Sequence, residues 1–457
     1  MTITDDFHDL LPATRRALTH RVATAQSEGR LPSLAAAVLR DGRTVWSAGR
    51  GEVNGRPPTG DTQYRIGSLT KTLVAVLVLR LRDEGLLDLD DPLGKHLETA
   101  EGGEATIVQL LAHTSGLAAE ARGPWWERTD GALRPEVADL FGEHPQRHPA
   151  GRVHHYSNPG YALLGALVEE LRGAPWHQVL DQEVLRPLGM ARTGYAPRAP
   201  HAEGWAVHPW ADALLPEPAV DTGRMAPAGQ LWSTTEDLSR FAAFLLHGDD
   251  RVLGAATLAE MRTPLAPPSG PDGSGGYGLG IQLLRRDGRL LCGHTGSMPG
   301  FAAVLWTSPQ DGLAAVLLSN ATSGQVAGPG GDLLETVARL EPRIPRPWRP
   351  AKGIDPALLE LTGPWYWGAQ PMALRLRADG TLDLSPLGGG GRAAAFRPEP
   401  DGTFTGLDGY YAGETLRAVR QADGTLSHLD IGTFVFTRRP YEPGEAVPGG
   451  VDGHGWR

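Results

Sequence analysis

Cysteine is almost absent from this chain of 457 residues, and the single Cys292 excludes an intrachain disulfide framework and any cysteine-built zinc or iron–sulfur site. Long apolar runs are also missing: the longest, residues 73–79, ends at Arg80, far short of the roughly 20 residues that span a bilayer. The 43 basic residues do not outnumber the 53 acidic ones, and the net charge of −10 argues against a broad nucleic-acid surface. We therefore expect a globular protein whose partners include neither nucleic acid nor a membrane.

The start of the sequence and its lysine content set two further expectations. The first residues, MTITDDFHDLL, are acidic, whereas a secretory signal begins with basic residues and continues into an apolar stretch. This predicts a cytoplasmic location. Only three lysines occur, Lys71, Lys95 and Lys352, among many arginines, so each lysine stands out against the composition.

Helical and strand patterns alternate over the first three quarters of the sequence. The predicted helices cover residues 11–28, 69–84, 161–171 and 236–246. The predicted strands cover residues 33–39 and 44–46 near the start, and 279–284, 289–292, 301–307 and 313–319 near the end. Strands at both ends of a helical region predict an α+β domain whose antiparallel sheet closes across a long helical insertion.

The composition changes after residue 340. Residues 341–352 hold four prolines and predict a linker between a domain of residues 8–340 and a second domain of residues 353–440, with a flexible tail over 441–457. Within the second domain, the related sequences ADGTL, PDGTF and ADGTL recur every 22 residues, at 378–382, 400–404 and 422–426. Each Asp-Gly pair is a hairpin-turn signal between alternating segments, so this domain is predicted to be a small antiparallel β-barrel.

Ser68 and Lys71 form an S-x-x-K element at the start of the predicted helix over 69–84. Residues three apart share a helix face, so the lysine amine can reach the serine hydroxyl. A partly buried amine has a lowered pKa and can accept or relay a proton. The free N–H groups of a helix start suit a developing oxyanion. The alternatives are a chance occurrence and helix capping by Ser68.

Two further elements could complete a site. Tyr156 and Asn158 lie in a loop before a predicted helix, where a phenol beside a lysine can act as a general base and an amide can hold a substrate carbonyl. His294, Thr295 and Gly296 lie between two predicted strands, where a polar group could face the nucleophile. Each element alone is better explained as an ordinary polar loop or turn, but their order, spacing and structural setting together favour a catalytic site.

These motifs resemble those of the penicillin-recognising serine hydrolases, which include class C β-lactamases, serine DD-carboxypeptidases, related esterases and D-aminopeptidases. Residues 61–67 (DTQYRIG), 110–117 (LLAHTSGL) and 228–234 (AGQLWST) extend the resemblance over about residues 8–340. Gln230 departs from the glycine that relatives often have there, which could reshape the nearby wall of the site. The second domain, entered through the aromatic residues 365–367, resembles the lipocalin-like modules attached to some serine hydrolases.

The resemblance implies a role for each motif residue. The catalytic residues would be Ser68 as nucleophile, Lys71 as its activator, Tyr156 as proton shuttle and His294 at the third-motif position. The substrate contacts would come from Asn158, Thr295 and Gly296, and the oxyanion hole from the backbone N–H groups of Ser68 and Ser297. No metal or organic cofactor is expected. His144, His148, His154 and His155 are close in sequence and could suggest a metal, although a polar loop is the favoured interpretation.

We therefore expect a serine hydrolase that acts through a Ser68 acyl-enzyme on a small-molecule or peptide ester or amide. Two alternatives stay open: an acyltransferase or peptide cyclase that passes the same acyl group to an amine or alcohol, and a catalytically silent binding protein of the same fold. His294 replaces the lysine usual in class C β-lactamases. Because a neutral imidazole attracts a β-lactam carboxylate less than an ammonium does, weak β-lactam turnover is predicted.

Overall fold

A computed structural model of the chain describes residues 10–98, 102–266, 273–324, 326–345, 347–388, 391–442, 444–446 and 448. The chain divides into two compact units, residues 1–344 and 345–457, and the division falls inside the proline-rich stretch of 341–352. The finer domain limits stay predictions. Most of the tail predicted over 441–457 lies outside the described residues.

The first unit combines eleven strands and eight α-helices among its described residues. The strands are β1 (Ser33–Arg40), β2 (Arg43–Gly51), β3 (Tyr64–Arg65), β4 (Trp205–Val207), β5 (Leu214–Pro216), β6 (Trp232–Ser233), β7 (Gly275–Tyr277), β8 (Gln282–Arg286), β9 (Arg289–Met298), β10 (Phe301–Ser308) and β11 (Leu313–Ser319). The helices are α1 (Pro12–Glu28), α2 (Leu69–Asp83), α3 (Ile107–Leu111), α4 (Asn158–Arg172), α5 (Trp176–Leu180), α6 (Thr235–His247), α7 (Ala255–Met261) and α8 (Ala327–Leu340).

Seven of these strands form one antiparallel sheet in the order β2-β1-β11-β10-β9-β8-β7. Strand β1 pairs with β11 from Leu34 opposite Ser319 to Arg40 opposite Leu313, which joins the two ends of the unit. The predicted closure of the sheet across a helical insertion is therefore confirmed.

Helices cover both faces of this sheet. Helices α2, α4 and α6 contribute to a large core on one face, and α1 and α8 pack on the other. Successive residues of β1 enter the two cores in turn, since Ala35 lies in the first and Leu34 and Ala36 in the second. A strand buried on both faces accounts for the uninterrupted apolar run that begins after Ser33. Helix α2 is buried from Leu69 to Leu79, which accounts for its apolar composition.

The end of the sheet differs in detail from the sequence prediction. Strand β8 begins only at Gln282, because residues 278–281 form the turn from β7. Strand β9 extends to Met298, six residues beyond the predicted end at Cys292, because its pairing with β10 continues as far as Met298 opposite Phe301. The prediction that the His294 motif lies between strands is therefore wrong, and the motif is in the interior of β9.

The second unit is a nearly closed antiparallel barrel preceded by a short helix. Its elements are α9 (Pro356–Leu361), β12 (Gly363–Trp367), β13 (Gln370–Leu376), β14 (Leu382–Pro386), β15 (Ala394–Pro398), β16 (Phe404–Gly406), β17 (Thr415–Arg420), β18 (Leu426–Ile431) and β19 (Phe434–Phe436). Each strand pairs with the next in chain order, and Tyr366 and Thr437 exchange backbone hydrogen bonds of 2.8 and 2.9 Å that bring the ends together. The predicted barrel is confirmed.

The three repeated Asp-Gly sequences each form a turn of this barrel. Gly380, Gly402 and Gly424 have φ values of 86°, 82° and 86°, a left-handed conformation that favours glycine. In the described part of the chain, no helix combines the length and the apolar character that a membrane span requires. The cytoplasmic location stays a prediction.

Candidate active site

Ser68 lies immediately before helix α2, with φ of −65° and ψ of −4°. Its side chain makes no capping hydrogen bond to the helix, so capping does not explain the residue. The residue is half-buried, in contrast to the fully buried residues on either side. The hydroxyl is therefore available to other groups at the surface of the helix start.

Lys71 meets Ser68 one helical turn further along. Its Nζ donates hydrogen bonds to Ser68 Oγ at 2.9 Å and to the carbonyl oxygen of Ala228 at 2.6 Å. The side chain is fully buried, and burial lowers the pKa of Lys71 to about 7, although the negative charges of Glu120 and Glu127 act in the opposite direction. Near neutral pH a large fraction of this amine is unprotonated and can accept a proton.

Tyr156 approaches the same pair from the loop before α4. Lys71 Nζ lies 4.9 Å from the centre of its ring, and its phenol is close enough to Ser68 for the serine hydroxyl to affect the phenol's pKa. Burial raises the pKa of Tyr156, and this interaction with Ser68 only partly offsets the effect. The phenol therefore keeps its proton at neutral pH. The structure brings Ser68, Lys71 and Tyr156 together, as the sequence predicts.

Asn158 is the first residue of α4, and its side chain contacts a residue that the sequence analysis did not identify. The amide nitrogen of Asn158 donates to both carboxylate oxygens of Glu120 at 3.0 Å, and Trp126 Nε1 donates to the same carboxylate at 2.7 Å. Glu120 is exposed, and its charge acts on Lys71. Glu120 lies outside the sequence motifs of the site, three residues after the LLAHTSGL stretch.

His294 is buried within β9, and both of its ring nitrogens bond to the protein. Nδ1 donates to the carbonyl oxygen of Thr295 at 2.5 Å, since that oxygen can only accept, and Tyr277 Oη donates to Nε2 at 2.8 Å. Burial is the main cause that lowers the pKa of His294 to about 3, with the positive charge of Lys71 adding to it. The third motif therefore presents a neutral imidazole.

Thr295 is already engaged by a neighbouring strand. Its backbone N–H and its hydroxyl both donate to Gln282 Oε1, at 3.1 and 3.3 Å. Gln282 is the first residue of β8, so this contact anchors the motif to the sheet. A direct substrate contact by Thr295 stays a prediction, as does that of Asn158.

Two glycines allow β9 to lie directly against the backbone around the nucleophile. A Cβ on Gly296 would be 2.0 Å from the carbonyl oxygen of Ile66, and one on Gly67 would be 2.5 Å from the backbone nitrogen of Ser297. Gly67 also has a left-handed φ of 54°. These contacts bring the backbone of Ser297 beside the residue that precedes Ser68. The two backbone groups predicted for the oxyanion hole are thus neighbours.

The side chain of Gln230 is engaged by other buried groups of the protein, and its effect on the wall of the site stays a prediction. It is buried, and its Oε1 accepts hydrogen bonds from Arg65 at 2.6 Å and from the Thr222 hydroxyl at 2.9 Å. Arg65, three residues before the nucleophile, is itself buried, and burial lowers its pKa to about 10. Gln230 therefore supplies a hydrogen bond to Nη2 of a buried guanidinium whose Nε and Nη1 have no partner among the described residues, which matters because burying a charge with few partners is costly.

Three histidines of the loop before α4 pack against aromatic rings. In the described residues, no group of three or more histidine, cysteine, aspartate or glutamate side chains is arranged to hold a metal ion. His148 and His155 pack against each other edge to face, with ring centres 4.7 Å apart, and His154 packs against Tyr277.

Known proteins resemble both units. Residues 15–338 match the Beta-lactamase family, and residues 354–438 match a family described as a domain of unknown function (DUF7586). Penicillin-binding protein 4 of Amycolatopsis lactamdurans is 31% identical over 322 residues, which cover 66% of this chain and 84% of that protein.

Two solved structures share the fold. A D-stereospecific amidohydrolase from Streptomyces sp. has a TM-score of 0.58 and 25% identity. The match covers 72% of this chain and 99% of the amidohydrolase chain. The octameric penicillin-binding protein homologue from Pyrococcus abyssi has a TM-score of 0.65 and covers 93% of this chain and all of its own. At 21% identity, the second likeness shows the fold alone.

The family match spans nearly the whole first unit, and the two solved structures share the fold. The family includes serine hydrolases that act on amides and esters. The chain therefore belongs to the β-lactamase family, within the penicillin-recognising serine hydrolase superfamily.

Proposed function

We propose that the protein is a serine hydrolase that cleaves an ester or a peptide-like amide through an acyl-enzyme on Ser68. The observation that carries this proposal is the 2.9 Å hydrogen bond between Ser68 and a buried Lys71 whose pKa is lowered to about 7. A serine hydroxyl is a weak nucleophile unless an adjacent base takes its proton, and an amine with this pKa suits that task at neutral pH.

The proposed reaction has two steps. Ser68 Oγ attacks the substrate carbonyl, its proton passes to Lys71, and the oxyanion is bound by the backbone N–H groups of Ser68 and Ser297. The carbon–oxygen or carbon–nitrogen bond to the leaving group then breaks, the Tyr156 phenol donates a proton to that group, and the Lys71 ammonium returns a proton to the phenolate. In the second step, water attacks the acyl-enzyme and gives a proton to Lys71, and that proton passes to Ser68 Oγ as the acid is released.

The charges around Ser68 favour a substrate with a positive group. Glu120 and Glu127 both act on Lys71 as negative charges, and His294 supplies no positive charge. An ammonium is attracted by such a site, whereas the carboxylate of a β-lactam is not. We propose an amino-acid amide or ester with a free amino group as substrate class, consistent with a D-stereospecific amidohydrolase among the structural relatives.

A covalent serine probe tests the mechanism. A fluorophosphonate should label the wild-type protein at Ser68, and Ser68→Ala should abolish labelling while circular dichroism shows an intact fold. Ser47→Ala changes an exposed serine of β2 and is the matched control that should keep full labelling. Labelling of another residue in Ser68→Ala would contradict the assignment.

A comparison of substrates tests the class. D-Phenylalanine amide and p-nitrophenyl acetate should be turned over with a higher kcat/KM than nitrocefin. Glu120→Gln should raise KM for the amide by about 10-fold, the equivalent of roughly 1.4 kcal/mol. It should leave KM for p-nitrophenyl acetate unchanged, because that ester has no charge. An equal rise of KM for both substrates would refute the attraction of the substrate ammonium by Glu120. Hydroxamate formed with added hydroxylamine would report the acyl-enzyme, and the ratio of hydroxamate to free acid compares transfer of the acyl group with hydrolysis.

A further inference from the structure

His113 belongs to the LLAHTSGL stretch, which the proposed mechanism leaves without a role. It lies two residues after α3 ends at Leu111, is completely buried, and has a left-handed φ of 56°. A left-handed conformation is uncommon for a residue other than glycine and is retained only where the surrounding structure enforces it. The surrounding structure, and not the backbone preference of histidine, therefore accounts for the conformation of His113.

The contacts of His113 converge on Tyr156. The backbone N–H of His155 donates to the carbonyl oxygen of His113 at 2.8 Å, and the N–H of Ser157 donates to its Nδ1 at 3.0 Å. Between these two bonds, the imidazole packs on the Tyr156 ring, with ring centres 4.1 Å apart and planes inclined by 32°. His113 thus holds Tyr156 through both of its chain neighbours and through its ring.

The hydrogen bond from Ser157 also determines the protonation of His113. Because Nδ1 accepts, the proton of the neutral ring lies on Nε2, and among the described residues no group bonds to that nitrogen. Protonation of Nδ1 would break the contact with Ser157. Several groups surround the ring: Lys71 from α2, Tyr161 from α4, Tyr277 from β7, His154 and His155 from the loop that leads into α4, and His294 from β9. Burial, and next to it the positive charge of Lys71, hold the pKa of His113 well below its usual range.

We propose that His113 is the positioning residue for Tyr156, which it fixes in hydrogen-bond reach of Ser68. This inference rests on the proposed function, in which the phenol beside Ser68 orients the hydroxyl for attack as well as protonating the leaving group. Fluorophosphonate labelling measures the first of these roles, because fluoride leaves without a proton. The imidazole accepts the Ser157 N–H on one edge and supports the phenol with its face. A rigid phenol matters because a displacement of about 1 Å from the reacting groups can reduce a rate by roughly 100-fold.

Two substitutions separate the parts of this contact, and both tolerate a left-handed backbone. His113→Gly removes the ring and the acceptor and should slow fluorophosphonate labelling of Ser68 by about 10- to 100-fold. His113→Asn removes the ring but keeps an acceptor for the Ser157 N–H, and should stay within about 10-fold of the wild-type rate. If His113→Asn slows labelling as much as His113→Gly does, the hydrogen bond from the Ser157 N–H to residue 113 does not hold Tyr156 in place.

The decisive measurement is a double-mutant cycle with Tyr156→Phe. If His113 acts through the Tyr156 phenol, His113→Gly should slow labelling by less than about 3-fold in the Tyr156→Phe protein. The same loss in both backgrounds, or none in either, would overturn the proposal. Leu334→Ala, a cavity in the core on the other face of the sheet, controls for lost stability and should label normally. Absence of Ser68 labelling in the wild-type protein would refute the proposed function itself, a result distinct from an uncoupled cycle.

Discussion

Replacement of Lys71 with methionine should stabilise the first unit and abolish acylation at the same time. Burial lowers the pKa of Lys71 from 10.5 to about 7, so at neutral pH the unfolded chain binds a proton that the folded chain only partly retains. At about 1.4 kcal/mol for each pH unit, this difference destabilises the folded state by about 5 kcal/mol. Methionine has a similar length and no charge to bury.

The substitution also removes the hydrogen bonds of Lys71 to Ser68 and to the Ala228 carbonyl. At a net value of about 1 kcal/mol for each bond, their loss reduces the expected gain to about 3 kcal/mol. A unit of this size has an entropy of unfolding of about 0.7 kcal/mol/K, so the melting temperature should rise by roughly 4 °C. Labelling of Ser68 should fall by at least 100-fold because the base is lost.

Scanning calorimetry from pH 7 to pH 10 checks the sign of this effect. The folded-state pKa lies below the unfolded one, so the destabilisation is complete below pH 7 and disappears as the pH rises towards 10.5. The gain of Lys71→Met should therefore shrink over that window. Lys95→Met is the control, because Lys95 is exposed and pairs with Asp91 at the surface, where an ion pair contributes less than about 1 kcal/mol. A melting temperature that falls, or a gain that is the same at pH 7 and pH 10, would refute the reasoning.

Three further predictions concern the site. Gly296→Ala should eliminate labelling of Ser68, because its Cβ would lie 2.0 Å from the Ile66 carbonyl oxygen, whereas Gly254→Ala meets nothing closer than 3.5 Å and should label normally. The acylation rate should rise with pH through about 7 as Lys71 loses its proton, and a stopped-flow profile that is flat from pH 5 to pH 9 would contradict this. His294→Lys should raise kcat/KM for nitrocefin by introducing a positive charge, and an unchanged value would show that charge at this position does not set selectivity.

The catalytic pair could be predicted from the sequence because its geometry is local. Ser68 and Lys71 are three residues apart on one helix, so their contact follows from helix periodicity alone. The Asp-Gly turns of the barrel were predictable for the same reason, since a two-residue turn is defined by its own residues. The family resemblance then placed Tyr156 beside the pair, although it lies 85 residues further along the chain.

Features that depend on tertiary partners were not predictable in this way. The role of Gln230 depends on the buried guanidinium of Arg65, and the neutrality of His294 depends on its burial and on Tyr277. Glu120 belongs to no motif, and its place at the site depends on its hydrogen bonds with Asn158 and Trp126. Strand β9 was predicted too short because its second half consists mostly of glycine and polar residues, whereas its pairing with β10 continues as far as Met298.

The scarcity of lysine makes Lys71 a chemical reporter of local unfolding. Lys95 and Lys352 are exposed, whereas Lys71 is inaccessible in the folded protein. Acetic anhydride in native buffer should thus modify the two exposed side chains rapidly, and Lys71 only when the start of α2 separates from the rest of the unit. Peptide mass mapping over time would then measure, at Lys71 alone, the rate at which the active site opens. The protein can also be immobilised through its surface amines, because the coupling would leave the buried base Lys71 unmodified.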